Sequence, residues 1–247
     1  MNFFLDAIAW IFDPANYAEP GGIVSRLLEH LLFTFVTLVF ASVIAIPLGY
    51  LIGHTGRGRG FAIAGAGGLR ALPTLGLLTL VALWVGIGLE APYVALTILA
   101  IPPILAGAYT GFEAIERGTI DAARAVGMSE GQIVAKVEVP LGLPLLIGGI
   151  RSATLQVVAT ATLAAYVADF GLGRYLFAGL KTRDYAEMLG GSILVILLAL
   201  VLEGIFALVQ RLVVPRGVIA GRPEDVRARP IRSRAATGTP VTEGRSS

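Results

Sequence analysis

"DAARAVGMSEGQIVAKVEVP", residues 121–140, interrupts a chain that is otherwise as apolar as lipid. It sets Asp121, Arg124, Glu130, Lys136 and Glu138 between two long hydrophobic stretches. Thr119 is positioned to cap a first helix, with Asp121 in its first turn, where a negative charge suits the helix dipole. Ala122, Ala123 and Ala125 are strong helix formers with little bulk, and Gly127 supplies the left-handed conformation that closes such a helix. Ser129 and Gln132 have capping-box spacing. Ile133, Val134 and Val137 then recur at helical intervals until Pro140 ends the second helix. The expectation is an ordered helix–glycine–helix unit with a small-residue face. Two readings of it stay open: a knob shaped for close approach by a partner, or a helix pair at the interface that only links two spans.

Composition places the rest of the chain in a membrane. Of its 247 residues 55% are hydrophobic and only 15% charged, and the mean hydropathy is +0.79. Soluble domains carry about 25% charged residues, so too few ionised groups exist here to cover a soluble surface. The absence of cysteine excludes disulfides, thiolate metal sites and a Cys nucleophile. "MNFFLDAIAWIF" (1–12) has no basic start and no small-residue cleavage site, so it does not read as a signal peptide. It is too short to span and reads as an interfacial helix with Trp10 at headgroup level.

Five stretches can cross a bilayer core, which takes about 20 helical residues: 31–52, 61–89 (kinked at Pro73), 92–112, 143–168 and 188–212. The fold class is therefore an all-α polytopic membrane protein. Residues 1–26 form an extracytoplasmic or interfacial segment, 27–214 the transmembrane domain with a polar loop at 113–140, and 215–247 a tail. Basic residues orient the spans. With the loop in the cytoplasm, 14 of the 19 Lys and Arg fall inside, counting the Arg-rich end from Arg211 to Arg245. The acidic flank of Asp6, Asp13, Glu19 and Glu29 then lies outside, and the basic 168–187 connection is the one discordant segment. This predicts N-terminus out, C-terminus in. The tail is rich in Arg, Pro and Gly and poor in large apolar residues, the composition of a disordered segment.

The polar loop resembles a known family. Importer permeases of ATP-binding-cassette (ABC) systems carry EAA-x3-G-x9-I-x-L-P in their last large cytoplasmic loop. Here Asp121, Ala122 and Ala123 stand for EAA, Gly127 keeps the spacing, and Val137, Val139 and Pro140 close the motif. Asp for Glu and Val for Ile and Leu are conservative departures. "RALPTLGLLTL", "IPPILAGAYTGFEAI", "VEVPLGLPLLIGGIRSATLQVVATATLAAYV" and "FGLGRYLFAGL" are similar to the osmoprotectant branch, which imports glycine betaine, carnitine, choline or proline. The resemblance implies a type I importer permease of the bacterial cell membrane. It also implies three partners besides membrane lipid: a cytoplasmic ATPase subunit, an extracytoplasmic solute-binding protein, and a second permease subunit, either the same chain or a paralogue. Nucleic acid is not among them. Asp121 to Gly127 would form the knob docked on the ATPase. A permease for methionine or another small nutrient is the alternative within the class; a self-sufficient secondary transporter is the alternative outside it.

The chain carries no enzyme signature and needs no cofactor of its own. A phosphate-binding loop requires G-x4-G-K-[ST]; in "GRYLFAGLKT" Leu180 separates Gly179 from Lys181, so ATP is expected on the partner. His30 and His54 lie at opposite ends of one span, unable to join in a metal cluster or triad and expected at the two interfaces. Ser152, Gln156 and Thr160 share a helix face and either line a solute path or bond neighbouring helices. Gly148, Gly149, Gly190 and Gly191 are read as close helix packing. Charges within spans are candidates for function. Arg151 and Glu203 lie about 12 Å and about 13–14 Å of helix rise from Leu143 and Leu212, one level on adjacent spans. They either pair or leave Arg151 to snorkel to the interface. The loop 169–184 is expected to hold a short helix for the binding protein.

Overall fold

A backbone buried in hydrocarbon must satisfy each N–H and C=O within the protein, and a helix does so segment by segment. The computed structural model describes residues 2–18 and 20–213 and has no strand among them. Helix α1 (Phe3–Phe12) and a 3-10 turn (Pro14–Tyr17) precede α2 (Ile23–Thr55). Next come α3 (Arg59–Ala71), α4 (Thr74–Val85) and α5 (Glu90–Glu113). The polar loop contributes α6 (Arg117–Ala125), α7 (Glu130–Ile133) and a π turn (Val134–Glu138), which continues into α8 (Val139–Ala161). A 3-10 turn (Thr162–Tyr166), α9 (Gly173–Thr182) and α10 (Tyr185–Val213) complete the chain. The tail expected over 215–247 lies outside the described residues.

Among the described residues four helices are long and apolar enough to cross a membrane: α2, α5, the continuous run Glu130–Tyr166, and α10. A fifth crossing is available only as a broken one, because α3 and α4 meet at 90°. The stretch 61–89, expected as one kinked span, is thus two arms. Pro73 has no N–H to continue a helix, and its ring drives Leu72 out of helical geometry, to φ −70° and ψ 129°.

Helix α5 occupies the middle, and glycines set how closely its neighbours approach. A Cβ on Gly53 of α2 would stand 2.7 Å from the Phe112 Cβ on α5. On the other face a Cβ on Gly107 would stand 2.7 Å from the Leu145 carbonyl of α8, and one on Gly111 2.7 Å from that of Gly142. Gly149 meets the Pro103 carbonyl at 2.6 Å by the same measure. Both α2 (Gly49, Gly53) and α5 (Gly107, Gly111) therefore carry a G-x-x-x-G spacing, which lets backbones touch where lipid offers no hydrophobic drive for association. Ala41, Ala45, Ile104, Ala108, Ala153 and Val157 fill the space between these contacts.

Helix α10 lies at the edge and is held by α1 and α9. The Trp10 ring sits over Gly190 and edge-on to Tyr175 at 5.0 Å between centroids, and Gly191 abuts the Tyr175 Cβ. Helix α1 is thus folded onto α10, with Ala7 and Ile11 buried and Phe4 and Phe12 exposed. Gly149, Gly190 and Gly191 stand at close helix contacts; a Cβ on Gly148 would meet nothing within 4 Å.

Gly107→Val should destabilise the purified protein by about 1–3 kcal/mol or more, since its methyls meet backbone atoms that cannot yield. Gly148→Val should change it by about 0.5 kcal/mol or less. Thermal unfolding in detergent measures both, and equal losses would contradict the packing described.

Candidate functional site

The first helix of the polar loop starts earlier than expected. Glu116 has extended backbone and precedes Arg117, the first residue of α6, so Thr119 lies inside the helix and caps nothing, while its N–H bonds the Glu116 carbonyl at 3.0 Å. Asp121 consequently falls beyond the first turn and instead faces Arg124 at 3.6 Å. The end of α6 is as the residues predict. Gly127 has φ +86°, its N–H bonds the Arg124 carbonyl at 2.9 Å, and the Met128 N–H reaches the Ala123 carbonyl at 3.2 Å. This pair of bonds is a Schellman cap. The Ser129–Gln132 capping box is formed, with the Ser129 N–H donating to Gln132 Oε1 at 2.9 Å.

Pro140 was expected to end the second helix and does not. The turn before it widens to a π turn, in which the Val139 N–H bonds the Val134 carbonyl. Pro140 thereby enters in the first turn of α8, a position where proline is tolerated. The motif divides into an exposed apex and a rooted base. Asp121, Ala122, Ala125 and Gly127 are exposed and Val126 is 78% exposed, whereas Ala123 is buried and Val137 and Val139 are half-buried.

Behind the apex runs a chain of charged side chains that the sequence did not disclose. The Arg124 guanidinium forks onto Glu130, Nε to Oε1 at 2.8 Å and Nη2 to Oε2 at 3.1 Å. That hydrogen bond, then the Glu130 charge, raise the Arg124 pKa further above its ordinary value. His54, in the last turn of α2, faces Glu130 Oε2 through Nε2 at 3.4 Å and bonds Glu138 Oε2 through Nδ1 at 2.7 Å. Glu138 itself is 5% exposed. Arg124, His54 and Glu138 border a cavity of about 760 Å³ between the ends of α2 and α5 and helix α6, lined also by Arg59, Glu113 and Arg117. No group of three or more His, Asp or Glu arranged to hold a metal occurs among the described residues.

Within the spans the structure joins Arg151 to Glu203: Nε donates to Oε2 at 2.7 Å, Nη2 to Oε1, and Nη1 reaches Gln210 Oε1 at 3.2 Å. Ser152, Gln156 and Thr160 are not equivalent. Ser152 is exposed, and Thr160 bonds its own helix at the Gln156 carbonyl. Gln156 Nε2 donates to the Leu99 carbonyl of α5 at 3.0 Å. That carbonyl is the one whose helical donor would be residue 103, a proline. Gln156 thus fills a bond that Pro103 removes. His30, expected at an interface, is 1% exposed, and its Nε2 meets the Val158 carbonyl at 3.0 Å. Nearby, Glu29 accepts from Arg26 and from the Gly171 N–H, each at 2.9 Å, tying the start of α2 to the segment before α9.

A bundle of apolar helices with an ordered, capped loop at one end is the architecture of a polytopic membrane protein. The chain belongs to the binding-protein-dependent transport system inner membrane component family, whose model matches residues 18–217. It is 30% identical over 198 residues to the glycine betaine/carnitine/choline transport system permease protein OpuCB of Bacillus subtilis (strain 168), covering 80% of this chain and 91% of that one. It is 28% identical over 222 residues to the osmoprotectant import permease protein OsmW of Salmonella typhimurium, covering 87% of this chain and 100% of the other. Among solved structures it is similar to an inward-facing MetNI methionine ABC transporter, with a TM-score of 0.68 and 27% identity over 78% of this chain and 96% of that one. The protein is therefore a permease component of an ABC importer in the bacterial cell membrane, like the transport components it resembles.

Gln156→Leu should lower stability by about 0.6–1.7 kcal/mol, the range for polar contacts between membrane helices; a neutral effect on thermal unfolding would contradict the bond to Leu99. Arg151→Glu and Glu203→Arg should each lower transport by about ten-fold or more by leaving a charge unpaired within a span. The double exchange should recover most of it in vesicle uptake. No recovery would end a functional pairing.

Proposed function

We propose that this chain is the permease subunit of an ABC importer for osmoprotectants, small quaternary amines such as glycine betaine, carnitine or choline. The names of the curated relatives support that solute class over methionine, which is bound by a structural neighbour of the same fold. The observation that carries the docking role is the apex of the loop. Val126 is left 78% exposed beside Ala122, Ala125 and Gly127, on a helix closed by a complete cap. An apolar side chain held rigidly in water, with small residues around it, offers a ready-ordered surface for burial in a partner's groove.

Function then divides between chains. The loop faces the cytoplasm, the N-terminus lies outside, and Asp121 to Gly127 enter a groove on the ATPase subunit while Val137, Val139 and Pro140 root the loop in α8. Two permease subunits form the path. Closure of the ATPase pair on ATP draws the two knobs together and turns the path outward, where the binding protein delivers solute against the α9 side. Ser152, the exposed member of the polar row, is the one placed to meet the path; Gln156 serves chiefly to join α8 to α5.

Gly127→Asp puts a charge on the apex and a side chain at a φ that favours glycine. It should weaken co-purification with the ATPase subunit by about 100-fold or more, a hot-spot effect, and abolish ATP-driven glycine betaine uptake. Undiminished capture and uptake would contradict the docking role, and ATP-driven uptake of methionine in place of glycine betaine would contradict the solute class.

A further inference from the structure

Helix α6 is tethered more than packed. Among the described residues its contact with α7 is small yet exceeds that with any other element, and a cavity of about 760 Å³ separates it from the ends of α2 and α5. A movement of the knob therefore reaches the spans by two kinds of route: along the backbone, back into α5 and on through α7 and the π turn into α8, and across the polar side chains behind the apex. The second route ends on a different span. Arg124 of α6 grips Glu130 in two bonds, Glu130 faces His54 Nε2, and His54 Nδ1 binds the buried Glu138 on the π turn. His54 thus touches both the front and the root of the loop while belonging to the last turn of α2.

We infer that His54 and Glu138 are positioning residues for transport: they form a latch that makes the end of α2 follow the loop, so that α2 and α8 move together when the ATPase closes. The inference rests on the docking reading above. Three features support a mechanical role. Glu138 is nearly buried and its carboxylate is held by a side chain 84 residues away. A hydrogen bond in such a setting is directional and costly to leave unmade. Glu138 also sits on a π turn, a widened stretch that commonly marks a functional site and can rewind. Finally, α2 lies against α5 through Gly49 and Gly53, the second within one residue of His54. A pull on His54 is therefore passed to the central helix by backbone contact.

The test uses the whole complex, permease with its ATPase and binding protein, in vesicles, with glycine betaine as the probe and with uptake per ATP hydrolysed as the readout. His54→Ala and the near-isosteric Glu138→Gln should each lower that ratio by about ten-fold, within the usual span of coupling between sites, while the ATPase subunit still co-purifies. The double variant should be no worse than the worse single one, because the two residues act as one contact. His54→Gln, which keeps an N–H able to reach Glu138, should recover part of the loss. An unchanged ratio, additive losses, or no recovery in His54→Gln would overturn the latch. Loss of ATPase capture in these variants would overturn it as well, by placing the two residues in docking instead. Failure of the docking reading is distinct: it would show as capture that survives Gly127→Asp in the otherwise unaltered protein.

Discussion

The contact of α5 with α2 on one side and α8 on the other is what the remaining architecture depends on. In lipid, apolar side chains gain nothing by meeting one another, so helices hold together through close van der Waals fit and polar bonds. Gly53, Gly107, Gly111 and Gly149 bring backbone against backbone at distances that no larger residue permits. Pro102 and Pro103 lie in the same helix and are both buried. The carbonyl freed by Pro103 is taken up by Gln156 across the interface. The proline therefore costs little and adds a specific bond to an otherwise featureless surface. Around this centre α1, α9 and α10 form an outer layer, fastened by Trp10 on Gly190.

That rigid centre gives the polar loop something to act upon. The apex is capped at both of its helix ends and keeps Val126 in water. The base runs without a break into α8 through the π turn. The charged groups behind it reach α2. A rigid apex is suited to receive a push and a continuous base to pass it on. The family to which the chain belongs supplies the rest, since its members are the membrane components of binding-protein-dependent transport systems.

Much of this was legible in the residues, and what was not has physical causes. Schellman cap and capping box depend on neighbours within five residues, so Gly127 and the Ser129–Gln132 pair announce them. The start of α6 at Arg117 was missed because an extended backbone at Glu116, not a side-chain cap, sets it. Pro140 misled because the rule against proline applies to the interior of an α-helix, and a π turn moves it to a first turn. The break at Pro73 was expected as a kink; residue pattern carries no angle. The partners of His30 and His54, Val158 and Glu138, lie 128 and 84 residues away, so residue pattern could not name them. The G-x-x-x-G spacings at 49–53 and 107–111 were present in the sequence and would have identified α2 and α5 as central.

In the proposed function, solute moves through this chain only when driven from its docked loop. Uptake of labelled glycine betaine into vesicles tests it most directly, with the purified permease alone compared with the permease joined to its ATPase and binding protein. The expected result is accumulation against a gradient only in the joined complex and only with ATP inside the reach of the ATPase. Concentrative uptake by the permease alone would contradict it.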